Sequence, residues 1–215
     1  MRCLYCEKQI DKLTLSSIFI ENDCLCHECR KKLKIDKAYI KLNNYYVETF
    51  YNYDGIFRDL LIQYKECYDE ALACTFLYRL KDYIRYKYNG YEILFIPSSK
   101  NKLQQRGFNH LDLIFKEVGL KKNYGLKMKE NLVQEGKNFS DRSIMIGNFE
   151  YFGGKLDKAL IVDDVITSGS SILGAIEAIK PYANVVKVIS LSRKENAFIS
   201  RNKCVKIKKR RIIWC

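Results

Sequence analysis

Histidine, proline, tryptophan and long apolar runs are scarce in this sequence of 215 residues. No apolar stretch reaches the ~18 residues a bilayer-spanning helix needs, and the opening Met-Arg-Cys-Leu-Tyr-Cys-Glu lacks the apolar core of a secretion signal. A cytoplasmic protein is therefore expected. Only two histidines are present, His27 beside cysteines and His110 in a helical stretch, which leaves no serine–histidine–aspartate arrangement. His110 reads as structural or solvated. A Walker loop is missing too, since the nearest stretch, Gly147 to Leu156, has neither the spacing nor the hydroxyl, and this excludes a P-loop ATPase. No internal repeat is visible, and only the last fifteen residues depart from a globular composition.

Cysteine, by contrast, is plentiful, with nine in the chain and five within residues 1–34. In a reducing compartment such a cluster points to metal ligands and away from disulfides. Cys3-x-x-Cys6 and Cys26-x-x-Cys29 have the paired spacing of a four-thiolate zinc site, closed and therefore structural. Cys24 and His27 are substitute ligands by position, whereas Cys67 and Cys74, seven apart, read as helix core residues. Little apolar periodicity accompanies the cluster, so residues 1–37 are expected to form a small zinc-binding lobe. One main domain follows at 38–200, then a basic tail at 201–215.

Positive charge is the other excess. The formal net charge is +13, and the seven lysines and arginines of residues 201–215, with no acid among them, supply over half of it. Such a field attracts polyanions, and single-stranded DNA is the nucleic acid considered for the tail. Val205, Ile207, Ile212 and Ile213 equally suit a final edge strand with its lysines exposed.

Along the main domain, residues 45–53 read as a strand, and Ile56, Phe57, Leu60, Leu61 and Tyr64 repeat at helical spacing. A second helix is expected to carry Leu72, Phe76, Leu77, Leu80 and Ile84 along one side. Strand 92–96 ends at Pro97, a helix with Leu111, Ile114, Phe115 and Val118 follows, and 119–155 reads as a long loop or short hairpin. The clearest unit is strand 159–162, a helix bearing Ile172, Ala175, Ile176 and Ile179 and stopped by Pro181, then strand 185–191. A βαβ unit of this kind implies an α/β fold with a parallel sheet flanked by helices.

Ligands of such sheets sit at the carboxyl ends of the strands, where Asp163-Asp164-Val-Ile-Thr167-Ser168-Gly169-Ser170-Ser171 falls. Paired acids accept hydrogen bonds from ribose hydroxyls or hold Mg²⁺, and small residues opening a helix favour a phosphate. Singly, these residues would read as a solvated turn and an N-cap. In this order they describe a phosphoribosyl site.

These motifs together resemble the ComF/ComFC family. The resemblance rests on Met1–Cys6, Leu25–Cys29, Tyr53–Gly55 with Tyr64 and Lys65, Arg106–Asn109, and Leu160–Val165 with Thr167–Gly169. It implies a type I phosphoribosyltransferase-like fold with an N-terminal zinc lobe, acting in natural transformation beside a late-competence helicase. It also implies that Pro97–Arg106 is a pyrophosphate region in which Ser98, Ser99, Lys100 and Arg106 meet a diphosphate. Two departures stand out. A second cysteine quartet found in some members has no counterpart between Cys29 and Cys67, and a common Gln after Gly-Phe-Asn is His110 here.

Two functions follow from the resemblance. One is a DNA-uptake protein that binds phosphoribosyl pyrophosphate with Mg²⁺ and contacts single-stranded DNA or the helicase. The other is an active phosphoribosyltransferase with an unknown nitrogenous acceptor. A scaffold with an empty inherited loop fits the intact acids and hydroxyls less well. No base-selecting hood is recognisable, and no catalytic residue is assigned.

Overall fold

The computed structural model describes residues 1–10, 23–129 and 147–194. The tail at 201–215 and most of the basic stretch from Lys121 to Arg142 lie outside them, as do the tail's two alternatives, nucleic-acid contact and edge strand.

Eight strands and seven α-helices make up the described chain: α1 (His27–Lys32), β1 (Ala38–Leu42), β2 (Tyr45–Asn52), α2 (Gly55–Glu66), α3 (Ala73–Leu77), α4 (Lys81–Lys87), β3 (Glu92–Phe95), α5 (Lys100–Arg106), α6 (His110–Ile114), β4 (Lys121–Asn123), β5 (Leu126–Met128), β6 (Phe149–Tyr151), β7 (Leu156–Ile166), α7 (Ser170–Ile179) and β8 (Ala183–Arg193). Six strands form one sheet in the order β1-β2-β8-β7-β3-β4. Only β1 runs antiparallel to its neighbour. β5 and β6 make a separate antiparallel pair within the stretch 119–155 expected as a long loop or short hairpin, while β4 joins the main sheet.

β7 is the central strand, and its apolar residues alternate between two cores as strand geometry requires. Leu160 and Val162 pack with α2, α3 and α6, whereas Ala159 and Ile161 pack with α7, β1 and the β5–β6 hairpin. Helices thus cover both faces, and the α/β class expected from the βαβ pattern is observed.

The single helix expected over Leu72–Ile84 is instead a 3₁₀ turn (Glu70–Leu72), α3 and α4. Its five apolar residues are all buried as anticipated. The break near Arg79 turns the chain so that α4 reaches the sheet edge. There the buried Glu48 of β2 accepts hydrogen bonds from Tyr39 (3.0 Å), Tyr83 (2.6 Å) and Tyr88 (2.6 Å) and pairs with Lys87 at 2.8 Å. A buried carboxylate is tolerated only when satisfied in this way. Nothing in the spacing of these residues announces the cluster.

The N-terminal lobe does not stand apart. Cys3, Leu25, Cys29 and Leu33 are buried in the same core as Phe57, Leu60 and Phe76. Arg30 donates to the Thr75 carbonyl at 2.9 Å, and Gln63 donates to that of Leu4 at 3.2 Å. Among the described residues, no helix is long and apolar enough to cross a membrane.

Candidate functional site

β3 ends beside β7 at the level of Val162, one residue before Asp163. Phe95 is in register with Val162, and the Ile96 N–H donates to the Val162 carbonyl at 3.1 Å. The segment Pro97–Ser99 therefore leaves the sheet next to Asp163 and Asp164, so the expected ribose and pyrophosphate regions meet at one edge. Ser99 caps α5 by accepting from the Lys102 N–H at 3.4 Å. The Lys100 side chain lies outside the described atoms.

Asp163 and Asp164 are adjacent, yet their surroundings differ. The buried Asp164 belongs to the face covered by α2 and α6, where its Oδ2 meets Lys65 Nζ at 2.5 Å and His110 Nε2 at 2.8 Å. His110 Nδ1 lies 3.0 Å from Nη1 of Arg106, and Arg106 Nε donates to the Lys65 carbonyl at 3.2 Å. A guanidinium has no acceptor, so Nδ1 must accept. His110 is accordingly neutral, with its proton on Nε2 directed at Asp164. The four residues close a ring: Arg106 to His110, His110 to Asp164, Lys65 to Asp164, and Arg106 back to the Lys65 backbone.

Electrostatics follow from this arrangement. Burial opposes the charge of Asp164, but Lys65 and the His110 hydrogen bond outweigh it and hold the carboxyl well below the usual carboxylate range. Burial also keeps the His110 imidazole below its ordinary value, although Asp164 pulls the other way. Asp163 feels the Lys65 charge only weakly. Burial and the neighbouring Asp164 charge push it up to about 8, even though its Oδ1 accepts the Asp164 N–H at 2.9 Å.

Beyond β7 the chain turns through Thr167, Ser168 and Gly169 into α7. Gly169 adopts φ +76°, and a Cβ there would lie 2.7 Å from Leu42 Cδ1. Both facts call for glycine. The N-cap of α7 is Gly169, which has no side chain, and the Ser168 hydroxyl accepts the Ser170 N–H at 3.4 Å and lies 2.6 Å from the Ser170 hydroxyl. N–H groups at a helix start point along the axis and favour an anion.

The expected sugar acids, hydroxyl loop and Ser98–Ser99 thus share one sheet edge. Arg106 is buried and turns two of its nitrogens inward to the ring. Lys65 and His110 were not assigned to the site from sequence. A lysine one residue beyond a buried tyrosine on an amphipathic helix was the available signal, and it needed the 99-residue separation closed to acquire meaning.

Away from this edge, Cys3, Cys6, Cys26 and Cys29 bring their sulfurs within 4.8 Å of one another. In a tetrahedral ZnS₄ unit with ~2.3 Å bonds the sulfurs stand about 3.8 Å apart, so the four thiols fit a closed zinc site. Neither His27, which is exposed, nor Cys24, which faces Cys74, joins the group. Cys67 is exposed at the end of α2, and Cys74 is half-buried on α3, so the two do not share a helical core stripe.

No family model matches the chain. It is 24% identical over 199 residues to the competence protein ComFC of Streptococcus pneumoniae, with 80% of this chain and 90% of that protein covered. Among solved structures, a hypoxanthine phosphoribosyltransferase from Staphylococcus aureus overlaps 63% of this chain and 71% of its own at 10% identity and a TM-score of 0.39. A purine phosphoribosyltransferase from Pyrococcus horikoshii overlaps 57% and 83% at 17% identity and a TM-score of 0.34. Those two overlaps are partial. The match to ComFC spans most of both chains and agrees with the resemblance in the motifs, and the mostly parallel α/β sheet is the fold class that resemblance implies.

Proposed function

We propose that this chain is a competence-type protein that binds a phosphoribosyl group, as phosphoribosyl pyrophosphate with Mg²⁺, at the β7–α7 edge. One observation carries the reading: an apolar strand delivers Asp163 and Asp164 beside the start of α7, and Asp164 is tied to Lys65 and His110. Asp163 and the free oxygen of Asp164 would take the ribose hydroxyls. The N–H groups from Ser168 to Ser171 would take the 5′-phosphate. Asp163 suits a hard cation accompanying the diphosphate, and Mg²⁺ there would neutralise the diphosphate's charge. Ser98, Ser99 and Lys100 would face that diphosphate, with Arg106 holding His110 in place.

Retention of the site without a recognisable base-selecting element favours binding over transfer. Contact with single-stranded DNA through residues 201–215, and with a late-competence helicase, is the role the family resemblance suggests. Titration calorimetry with phosphoribosyl pyrophosphate and Mg²⁺ tests the core of the proposal. Wild type should bind, and Asp163→Asn should bind at least about tenfold more weakly, as expected for the loss of one charge-assisted contact. Absence of heat with wild type, or equal affinity in the variant, would sink it.

A further inference from the structure

The contact that the zinc-type quartet leaves unexplained is between Cys24 and Cys74. Their sulfurs lie 2.7 Å apart, although the residues are 50 positions apart in sequence. Both thiols also point at the Ala71 carbonyl, at 3.4 Å each, so one backbone oxygen fixes the pair. Cys24 is 9% exposed and lies three residues before α1 begins at His27. Cys74 is half-buried on α3 and lines a cavity of about 160 Å³ with Glu70, Leu77, Lys81 and Lys116. The lobe and α3 are already locked together here, because Arg30 pairs with Asp23 and donates to the Thr75 carbonyl at 2.9 Å.

We propose that Cys24 and Cys74 are a redox-active pair that closes to a disulfide, stapling the cysteine-rich lobe to α3. A disulfide needs its sulfurs at about 2.05 Å, which a sub-ångström rotation of two side chains supplies. The co-reactant is a low-molecular-weight disulfide of the glutathione class, and its entry point is Cys74, which the cavity opens to solvent. Cys74 thiolate attacks one sulfur of the small disulfide, whose S–S bond breaks and releases one small thiolate. Cys24 then loses its proton and attacks the Cys74 sulfur of the mixed disulfide. The Cys24–Cys74 bond forms and the second small thiolate leaves. Two electrons pass from the protein to the small disulfide, and the two protons pass to the released thiols. In a reducing compartment the pair rests as thiols, so the staple reports oxidation.

Peptide mapping of the full-length protein tests this. Protein is incubated with glutathione disulfide, free thiols are alkylated, and tryptic peptides are sequenced by mass spectrometry. Peptide 13–30 contains Cys24, Cys26 and Cys29, and peptide 66–79 contains Cys67 and Cys74. The expected result is a cross-linked pair of these peptides bonded through Cys24 and Cys74. It should revert with reductant, disappear in Cys74→Ser and persist in Cys67→Ser. Separate alkylation of Cys24 and Cys74 after oxidation, a bond through Cys67, or bonds confined to Cys3, Cys6, Cys26 and Cys29 would each overturn the proposal.

Discussion

His110 Nε2 donates to Asp164 Oδ2 at 2.8 Å while His110 Nδ1 accepts from Arg106, so one neutral ring links a cation to an anion that do not touch each other. A glutamine at this position has the same two-ended character, with an amide donor and a carbonyl acceptor. The Gln found after Gly-Phe-Asn in the resembled family therefore suits the same task. His110→Gln should melt close to wild type and keep ligand affinity. His110→Leu should lose about 1–3 kcal/mol, because Asp164 and Arg106 each lose a buried partner. Denaturant unfolding of the two variants separates the outcomes.

Among the described residues, Lys65 is the one lysine or arginine paired directly with Asp164. Lys65→Met should destabilise the protein by about 3 kcal/mol at pH 7, as for other broken buried pairs. The native pKa of Asp164 lies below the unfolded value, so its stabilisation is complete at neutral pH and is lost as pH falls below the ordinary aspartate value of ~4. The gap between variant and wild type should consequently narrow at pH 3. A gap that stays constant with pH would contradict the pairing.

Asp163 supplies a second pH signature with the opposite sense. With its carboxyl pushed up to about 8, it is largely protonated at neutral pH, and a cation accompanying the ligand must displace that proton. Affinity for Mg²⁺ with phosphoribosyl pyrophosphate should rise between pH 6.5 and pH 8.5 and flatten above. Calorimetry in two buffers of different ionisation heat should show a proton released on binding. Asp163→Asn should abolish both effects.

At Gly169 the left-handed backbone and the Leu42 side chain each resist a Cβ, and the two costs are separable. Gly169→Ala should destabilise by about 1–2 kcal/mol from the backbone conformation alone, with the Leu42 clash added. Leu42→Ala in the same chain should relieve the clash and leave the backbone cost. Chemical denaturation of the two single variants and the double variant completes the cycle.

Zinc removal should not leave a folded main domain with a loose lobe. Because Cys3, Leu25, Cys29 and Leu33 are part of the main core, chelation or Cys26→Ser with Cys29→Ser should lower the melting temperature of the whole chain in one cooperative transition. Circular dichroism with metal analysis is the measurement, and about one zinc per chain is expected beforehand.

Local signals made the βαβ unit legible. Ala159–Val162 is apolar throughout, Ile172, Ala175, Ile176 and Ile179 keep helical spacing, and Pro181 marks the end, all within 35 residues. The acids and the glycine were readable for the same reason. Contacts across long separations were not. Lys65 meets Asp164, Tyr88 meets Glu48 and Cys24 meets Cys74, and in each case the partners lie on elements that only the tertiary fold brings together. The broken helix at 72–84 escaped because all five of its apolar residues are buried whether the helix is one piece or three. Burial fixed the pattern without fixing the bend.

The ring draws its members from positions 65, 106, 110 and 164, on four separate elements. Only a fragment running unbroken from Lys65 to Asp164 contains it, and its closure must wait until loops of 41 to 99 residues have been shut. A nascent or partly folded chain therefore carries both acids without the arrangement that distinguishes them. Under the proposed function, the ability to hold a sugar phosphate would arrive only with completed folding, so the ligand should act as a probe of maturity, engaging finished molecules and passing over truncated ones.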